Sequence, residues 1–206
     1  MDMEQLIASI VADKQQHARW LNTLSLMENT GARKISASEH QTDVTLIVLK
    51  PAAEEHRHAF YLKKQLTKLG EDLCPTYADA YLLAPRESRH YLNALDVQVC
   101  KYLKSTLKLN GFELKFAAYL LVTYAIEVRA DTLYPIYQDV LDAFESKVNV
   151  KSIIAEEEGH LEEMIHQLTN FSPQWEVYAN KAIEIENGLF NEWVRALSEK
   201  VQVQTS

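Results

Sequence analysis

The sequence predicts an all-α protein built from a few long helices. Only 5 of its 206 residues are glycine and only 5 are proline, so few positions favour turns. Hydrophobic residues make up 47% of the chain, and over long stretches they recur every three or four positions, the spacing of a helix with one buried face. A chain of this length can bury one sizeable core, so we expect a single domain over residues 1–206.

Composition and charge exclude several classes of protein. The net charge of −8 disfavours a surface for nucleic acid or for an anionic membrane. No apolar run approaches the roughly 20 residues that span a bilayer, and the start of the chain lacks the basic and apolar regions of a signal peptide. Cys74 and Cys100 are too few for a disulfide framework and indicate free thiols in a reducing compartment. We therefore expect a cytoplasmic protein that binds neither nucleic acid nor membrane.

The first predicted helix covers residues 6–35 as one continuous element. Its apolar stripe includes three polar residues, Asp13, His17 and Glu28. Asp13 and His17 are interpreted as a buried polar pair or as a gap in the stripe near the end of the bundle. Glu28 is interpreted differently, because a buried carboxylate needs partners and later helices offer them.

The second predicted helix covers residues 44–69, with Asp43 as its N-cap and Gly70 as its C-cap signal. Glu55 and His58 occupy positions of its apolar stripe, so both side chains are expected to point into the core. An exposed Glu-x-x-His carries no information, and the buried position of this pair is what makes it informative.

Residues 74–85 include two prolines and predict a long crossover that leads into a helix over residues 86–109. This helix has a Glu-x-x-His of its own, from Glu87 to His90. The pair lies off the apolar face in the first turn after Pro85, so we interpret it as solvated.

The next helix covers residues 112–134 and places Glu127 at the edge of its inner face. Pro135 predicts a bend, with a short helical continuation and a turn at residues 146–149. Such a turn would place Glu127 at the same height along the bundle as Glu163 of the following helix. A change of register in the region after Pro135 would alter this.

The fourth bundle helix is predicted over residues 150–169 and contains two competing Glu-x-x-His pairs. Glu157 lies on the apolar stripe with His160 on its flank, whereas Glu163 and His166 lie on roughly the opposite face. We prefer Glu157 and His160, and expect a bend or loop after the preceding helix to bring Glu127 level with them.

The two preferred pairs belong to a repeated motif, Ala-Glu-Glu-x-x-His, that begins at Ala53 and again at Ala155. Residues i and i+3 share a helix face, so each motif directs a carboxylate and an imidazole the same way. Two such pairs and two single glutamates form the ligand set of a carboxylate-bridged di-metal site in a four-helix bundle. The chain supplies this set in helix order as Glu28, Glu55, His58, Glu127, Glu157 and His160.

The chemistry of these six residues favours two divalent metal ions. Four carboxylates balance the charge of two such ions, and without metal some of the carboxylates would have to take up protons. Carboxylate and imidazole ligands suit Fe(II) and Mn(II). The expected cofactor is therefore two Fe ions, with Mn in one or both positions as the alternative, and no further residue is assigned a catalytic role.

On these six residues and the two motifs, the chain resembles the ferritin-like superfamily of di-iron carboxylate proteins, which includes rubrerythrins and di-iron oxygenases. The resemblance covers residues 4–70 and 112–170. It implies a ferritin-like four-helix bundle with a long helical crossover between the second and third bundle helices. The chain lacks the cysteine-rich iron domain of a full rubrerythrin, and it adds a C-terminal helix after Pro173. Added helices would hinder packing into a storage cage, and they resemble the elaborations that shape substrate pockets in di-iron oxidases and oxygenases.

Three functions are compatible with this sequence. The leading one is an oxidoreductase that uses O2 to oxidise or oxygenate an unidentified small molecule. Its possible protein partners are an electron donor and a second copy of the chain in a homodimer. The second is iron oxidation or peroxide removal, with the metal or the peroxide as substrate. The third is a metal-free helical interaction protein whose inner carboxylates are relics or pair with Arg33, Arg57 or Arg129.

Overall fold

The computed structural model describes residues 2–204, which form seven α-helices and no β-strand. The all-α prediction is therefore confirmed. The helices are α1 (Met3–Ala12), α2 (Lys14–Ala37), α3 (Leu46–Leu66), α4 (Pro85–Thr106), α5 (Gly111–Ala143), α6 (Lys151–Phe171) and α7 (Trp175–Gln204). A short 3-10 helix, Asp79–Tyr81, lies in the connection between α3 and α4. None of the helices within residues 2–204 has both the length and the apolar character that crossing a membrane requires.

The prediction of one continuous first helix is wrong, because the chain turns at Asp13 and forms α1 and α2. Asp13 has extended backbone angles and is exposed, and its carboxylate accepts a hydrogen bond from the backbone N–H of Gln16 at 2.7 Å. It is thus the N-cap of α2 and satisfies a backbone donor that the helix leaves unpaired. The predicted pairing of Asp13 with His17 is also wrong, since His17 is buried and bonds the hydroxyl of Tyr137 at 2.7 Å.

The ends of α3 and α5 also differ from the predicted ones. Helix α3 follows Thr45 without a capping side chain, so Asp43 is not its N-cap, and it ends one turn before Gly70. Helix α5 continues through Pro135 as a single 33-residue helix, so the proline does not end it. Proline removes the hydrogen bond to the carbonyl of Asp131, which lies on an exposed position where water can replace the lost donor.

The helices pack in three antiparallel or crossing pairs: α2 against α3, α5 against α6, and α4 against α7. The pair of α4 and α7 lies against α5, and α1 covers α2 and α5 with four buried apolar residues. A stack of three rings joins α2, α7 and α4, since the rings of Trp20 and Trp193 are 5.6 Å apart and those of Trp193 and Tyr91 are 5.9 Å apart. This stack fixes α4 and α7 against the rest of the core.

Several contacts between the α2–α3 pair and the α5–α6 pair are polar. Tyr61 of α3 donates to the side-chain oxygen of Asn149 at 2.7 Å, and Lys50 of α3 forms an ion pair with Glu163 of α6 at 2.7 Å. Between these contacts lies the space into which the predicted ligands point.

Candidate metal centre

All six residues predicted as metal ligands come together between α2, α3, α5 and α6. They form two triads, and within each triad one ligand atom from every residue lies within 4.8 Å of the others. Five of the six residues are buried, and the side chain of Glu28 is 14% exposed. The first triad is Glu28, Glu55 and His58, and the second triad is Glu127, Glu157 and His160.

Each pair of helices carries one triad. Helix α3 presents Glu55 and His58 from one face because they are three residues apart, and its neighbour α2 adds Glu28. Helix α6 presents its own glutamate and histidine in the same way, and its neighbour α5 adds Glu127. The centre therefore has approximate two-fold symmetry in the kind and order of its ligands.

Glu157 connects the two triads. Its Oε1 atom lies 3.2 Å from Nδ1 of His58, and its Oε2 atom lies 3.1 Å from Nδ1 of His160. The two imidazole rings are 6.1 Å apart between centroids. One carboxylate thus faces one histidine of each triad with a different oxygen, which is the arrangement required of a carboxylate that bridges two metal ions.

The outer nitrogen of each imidazole forms an ion pair with a glutamate of the opposite motif. Nε2 of His58 lies 2.8 Å from Glu156, and Nε2 of His160 lies 2.9 Å from Glu54. Arg57 in turn bonds Glu156 at 2.6 Å. With Nε2 engaged by a carboxylate, Nδ1 of each ring is directed into the centre, and a carboxylate in this position also makes the imidazole a better ligand.

The donor atoms fit divalent metal ions of the Fe(II) or Mn(II) kind. Nδ1 of His58 is buried and has no hydrogen-bond partner, although such an atom is costly to leave unpaired in a protein core. It faces the carboxylates of Glu28 and Glu157, so a cation at this point would satisfy all three groups. Oxygen and imidazole nitrogen are the ligands that these metals accept.

The carboxylates of the triads do not share one protonation state. Burial raises the pKa of Glu55 well above its ordinary value, and the charge of Glu28 adds to that effect. Burial also raises the pKa of Glu127, which hydrogen-bonds Glu157. Burial acts in the same direction on Glu157, but hydrogen bonds with Glu127 and His160 outweigh it and lower its pKa. Without metal, a proton is therefore favoured on Glu127 over Glu157.

The two histidines are held in their charged form by the surrounding carboxylates. Burial lowers the pKa of His58, but the facing carboxylates, Glu28 most of all, outweigh it and raise the pKa to about 9. Burial also lowers the pKa of His160, but Glu127 and Glu157 outweigh it and raise the pKa to about 11. Even so, six carboxyl groups, counting Glu54 and Glu156, surround two imidazoles and one guanidinium. This excess of acidic groups favours the binding of cations, which would displace the protons.

Tyr134 adds a proton donor at the edge of the first triad. Its hydroxyl donates to Oε1 of Glu28. Burial raises the pKa of Tyr134 well above its ordinary value, and the charge of Glu28 adds to this, so the phenol stays protonated. On the other side of the triad, a Cβ atom at Gly31 would lie 3.4 Å from Glu55, so glycine leaves the Glu55 carboxylate room to move.

The competing Glu-x-x-His pairs do not reach the centre. Glu163 forms its ion pair with Lys50, and His166 is exposed and bonds Asn170 at 3.2 Å. His90, of the crossover pair, is exposed as predicted.

The predicted arginine partners are also elsewhere. Arg57 bonds Glu156, Arg129 bonds Glu186 at 2.8 Å, and Arg33 is exposed. Within residues 2–204, none of the six proposed ligands forms an ion pair with an arginine. The arginine pairing that one form of the metal-free interpretation offers is therefore not found for the six residues among the described side chains.

The loop between α5 and α6 brings Glu127 level with Glu157. The chain between α5 and α6 folds back along the end of α5, where the side chain of Gln138 accepts a hydrogen bond from the backbone N–H of Val150 at 2.7 Å. Val148 and Val150 are both buried in this return. Helix α6 thus starts beside the interior of α5, which shifts the register in the direction that the preferred pair requires.

A cavity of about 410 Å³ extends from the triads between α2, α4, α5 and α7. The carboxylates of Glu28, Glu55 and Glu127 line its inner part, together with Tyr134. Its walls are mainly apolar and include residues of α4 and α7. Six of these wall residues are Met27, Leu92, Val122, Ile126, Phe190 and Trp193.

Glu54, Glu156 and Tyr134 are parts of the centre that sequence reasoning does not assign. Glu54 and Glu156 are each the first glutamate of the repeated motif, so the repetition of Ala-Glu-Glu as a unit is a signal that both glutamates matter. Tyr134 has no comparable signal, because only the packing of α5 against α2 brings it to Glu28.

Comparison with protein-family models, with curated proteins and with solved structures finds no match for this chain. The arrangement of the two triads and the cavity therefore carries the functional interpretation alone.

Proposed function

We propose that this chain is a di-metal carboxylate oxidoreductase with a ferritin-like four-helix bundle formed by α2, α3, α5 and α6. It binds two Fe ions, or Mn in one or both positions, and uses O2 to oxidise or oxygenate a small molecule. The observation that carries the proposal is Glu157, which faces one imidazole of each triad with a separate oxygen. An ion-pair network has no need for six carboxyl groups around two imidazoles and one guanidinium.

In this proposal the chain's own residues bind the metal ions, orient the imidazoles and keep a proton near the centre. The six ligands fix two metal positions, while Glu54 and Glu156 keep the imidazoles turned with Nδ1 inward. Two redox-active metal ions would supply the O2 binding and the electrons that protein side chains lack. Tyr134 keeps a proton on its hydroxyl next to Oε1 of Glu28, at the inner end of the cavity.

The cavity favours oxidation of an organic substrate over iron oxidation. A chain that oxidises only metal or peroxide needs a path for small polar species, whereas this cavity is walled mainly by apolar side chains and ends at three carboxylates. Pockets for small molecules have this character, with apolar walls and a few polar groups at one place.

Iron oxidation remains the second candidate because of an acidic approach on the other side of the centre. The side chains of Glu54 and Glu156 are 20% and 31% exposed, so a cation could reach the triads from between α3 and α6. Repeated additions of Fe(II) in air separate the candidates. An oxidase takes up two Fe(II) per chain and then stops, whereas a ferroxidase continues to consume Fe(II) in large excess over protein.

The proposal is tested by metal titration of the purified chain and two matched variants. The native chain should bind two Fe(II) or Mn(II) under anaerobic conditions, Glu157→Ala should lose this binding, and Glu163→Ala on the same helix should retain it. Fe(II) or Mn(II) binding that is absent from the native chain, or equally present in Glu157→Ala, would contradict the proposal.

A further inference from the structure

We infer that the cavity beside the triads binds a single-chain amphiphile with one anionic head group. The head lies at the outer mouth, and the apolar chain extends inward to the carboxylates of the first triad and Glu127. The inference rests on the proposed function, because the part of the bound molecule nearest the metal ions is the part that would be oxidised.

The shape of the cavity favours an extended molecule. One face of α5 lines it from Lys115 at the mouth, past Glu127, to Tyr134 in the inner part. At a rise of 1.5 Å per residue, this wall is about 18 Å long up to Glu127 and about 28 Å long up to Tyr134. A volume of about 410 Å³ spread over that length gives a narrow space, which suits a chain better than a compact ring system.

The charges at the two ends fix the direction of binding. Lys34, Asp96 and Lys115 lie at the mouth, and Lys34 pairs with Asp96 at 3.1 Å. Lys115 is exposed and forms no ion pair with the described side chains, so the mouth has one positive charge without a partner. The carboxylates of Glu28, Glu55 and Glu127 would repel an anionic head from the inner part of the cavity, where Arg129 is already paired with Glu186 at 2.8 Å. An anion is therefore attracted to the mouth, and only the apolar end of the molecule can approach the triads.

The rim of the mouth is apolar, which favours entry of a hydrophobic chain. Phe112, one turn before Lys115, is 47% exposed, and Ile47 is 41% exposed. Ile47 is held beside the cavity because its carbonyl accepts a hydrogen bond at 2.9 Å from Tyr119, a residue of the cavity wall. Exposed apolar side chains next to a deep apolar cavity commonly mark a binding site.

The test measures binding of hexanoate, octanoate, decanoate and dodecanoate to the metal-free protein. Trp193 lies in the cavity wall, so its fluorescence should report the bound chain. Each added methylene should raise the affinity about fourfold until the cavity is filled, since burying a methylene contributes about 0.8 kcal/mol. Dodecylamine should bind about fivefold more weakly than dodecanoate, because its charge faces Lys115.

Two pairs of variants locate the site. Val122→Trp fills the cavity and should abolish binding, whereas Val128→Trp, on the same helix but outside the cavity wall, should not. Lys115→Gln should weaken dodecanoate about fivefold without affecting 1-octanol, and Lys104→Gln, an exposed lysine of α4, is its control. Ala130→Phe is a second cavity-filling variant, to be used if thermal unfolding shows that Val122→Trp does not fold.

Titration of the same protein with Fe(II) keeps the two proposals separate. An affinity that does not change with chain length, or that Val122→Trp leaves intact, overturns the amphiphile site even if the chain binds two Fe(II). Binding that rises with chain length and is lost in Val122→Trp supports the amphiphile site. If such a chain takes up neither iron nor manganese, the site stands and the proposed oxidoreductase is overturned.

Discussion

The two adjacent glutamates of each Ala-Glu-Glu-x-x-His motif have different roles. Glu55 and Glu157 face the centre, whereas Glu54 and Glu156 each form an ion pair with the histidine of the opposite motif. Each motif thus supplies a donor atom for its own triad and an orienting carboxylate for the other. The position of the histidines consequently depends on the correct alignment of α3 with α6.

Replacing Glu156 by glutamine should weaken metal binding without removing a ligand. The amide keeps the shape of the side chain but removes the charge that holds Nε2 of His58. Loss of such an orienting group typically lowers metal affinity about 10- to 100-fold. Competition with a chelator for Mn(II) measures the change, and Glu162→Gln, an exposed glutamate of α6, is the control. Equal affinities of the two variants would contradict the orienting role.

Replacing Glu55 by glutamine should have opposite effects on metal binding and on the stability of the metal-free protein. Burial and the charge of Glu28 raise the pKa of Glu55, so its charged form is unfavourable in the absence of metal. The variant should therefore unfold at the same temperature as the native chain or higher in chelator, yet show no stabilisation by Mn(II). Thermal unfolding with and without metal tests this, and a lower unfolding temperature in chelator would show that Glu55 instead holds the fold together.

At the scale of whole helices, apolar periodicity predicted the elements better than their ends. The six ligands were predictable because all but two of them lie on a stripe that repeats every three or four residues. The break at Asp13 was not predictable, because it depends on the side chain of Asp13 acting as the N-cap of α2. The return loop before α6 was not predictable either, because it depends on the hydrogen bond from Val150 to Gln138. The cavity was beyond prediction in detail, since residues of four helices distant in sequence line it.

His17 and Tyr137 join α2 to α5 and make this contact sensitive to acid. Burial lowers the pKa of His17 to about 4, from an ordinary value of 6.5. Between these values the unfolded chain binds the proton and the folded chain does not, so the free energy of unfolding falls as the pH falls from 6.5 to 4. The full loss from this group is about 3 kcal/mol.

Urea unfolding at several pH values measures the acid effect. In chelator, the native chain should lose stability more steeply between pH 6.5 and pH 4 than His17→Gln, in which no proton is taken up at this position. Parallel curves for the two proteins would show that His17 does not contribute to the acid sensitivity.

For the molecule as a whole, the two triads divide the structure into halves that meet at the centre. The first triad belongs to α2 and α3 and the second to α5 and α6, and Glu157 and the two cross-motif bonds connect them. Metal ions shared between the triads would therefore tie together segments that are far apart in the sequence.

Metal binding should accordingly stabilise the entire fold and not one helix. At a free Mn(II) concentration 100 times the dissociation constant, each independent site should add about 2.7 kcal/mol to the free energy of unfolding. Calorimetry at increasing Mn(II) should show a single transition that moves to higher temperature, and the shift should vanish in His160→Ala. A second transition whose temperature does not change with Mn(II) would show that the halves unfold separately.

Helix α7 provides no ligand to the centre, although Phe190 and Trp193 form part of the cavity wall. In the proposed enzyme, α4 and α7 would thus help to select the substrate without holding the metal, whereas α2 and α5 would do both. Mutations in the final helix can change which molecule is accommodated while the inorganic chemistry stays intact. Proteins that share the same six ligands but carry a different last helix should then differ in substrate preference more than in reactivity.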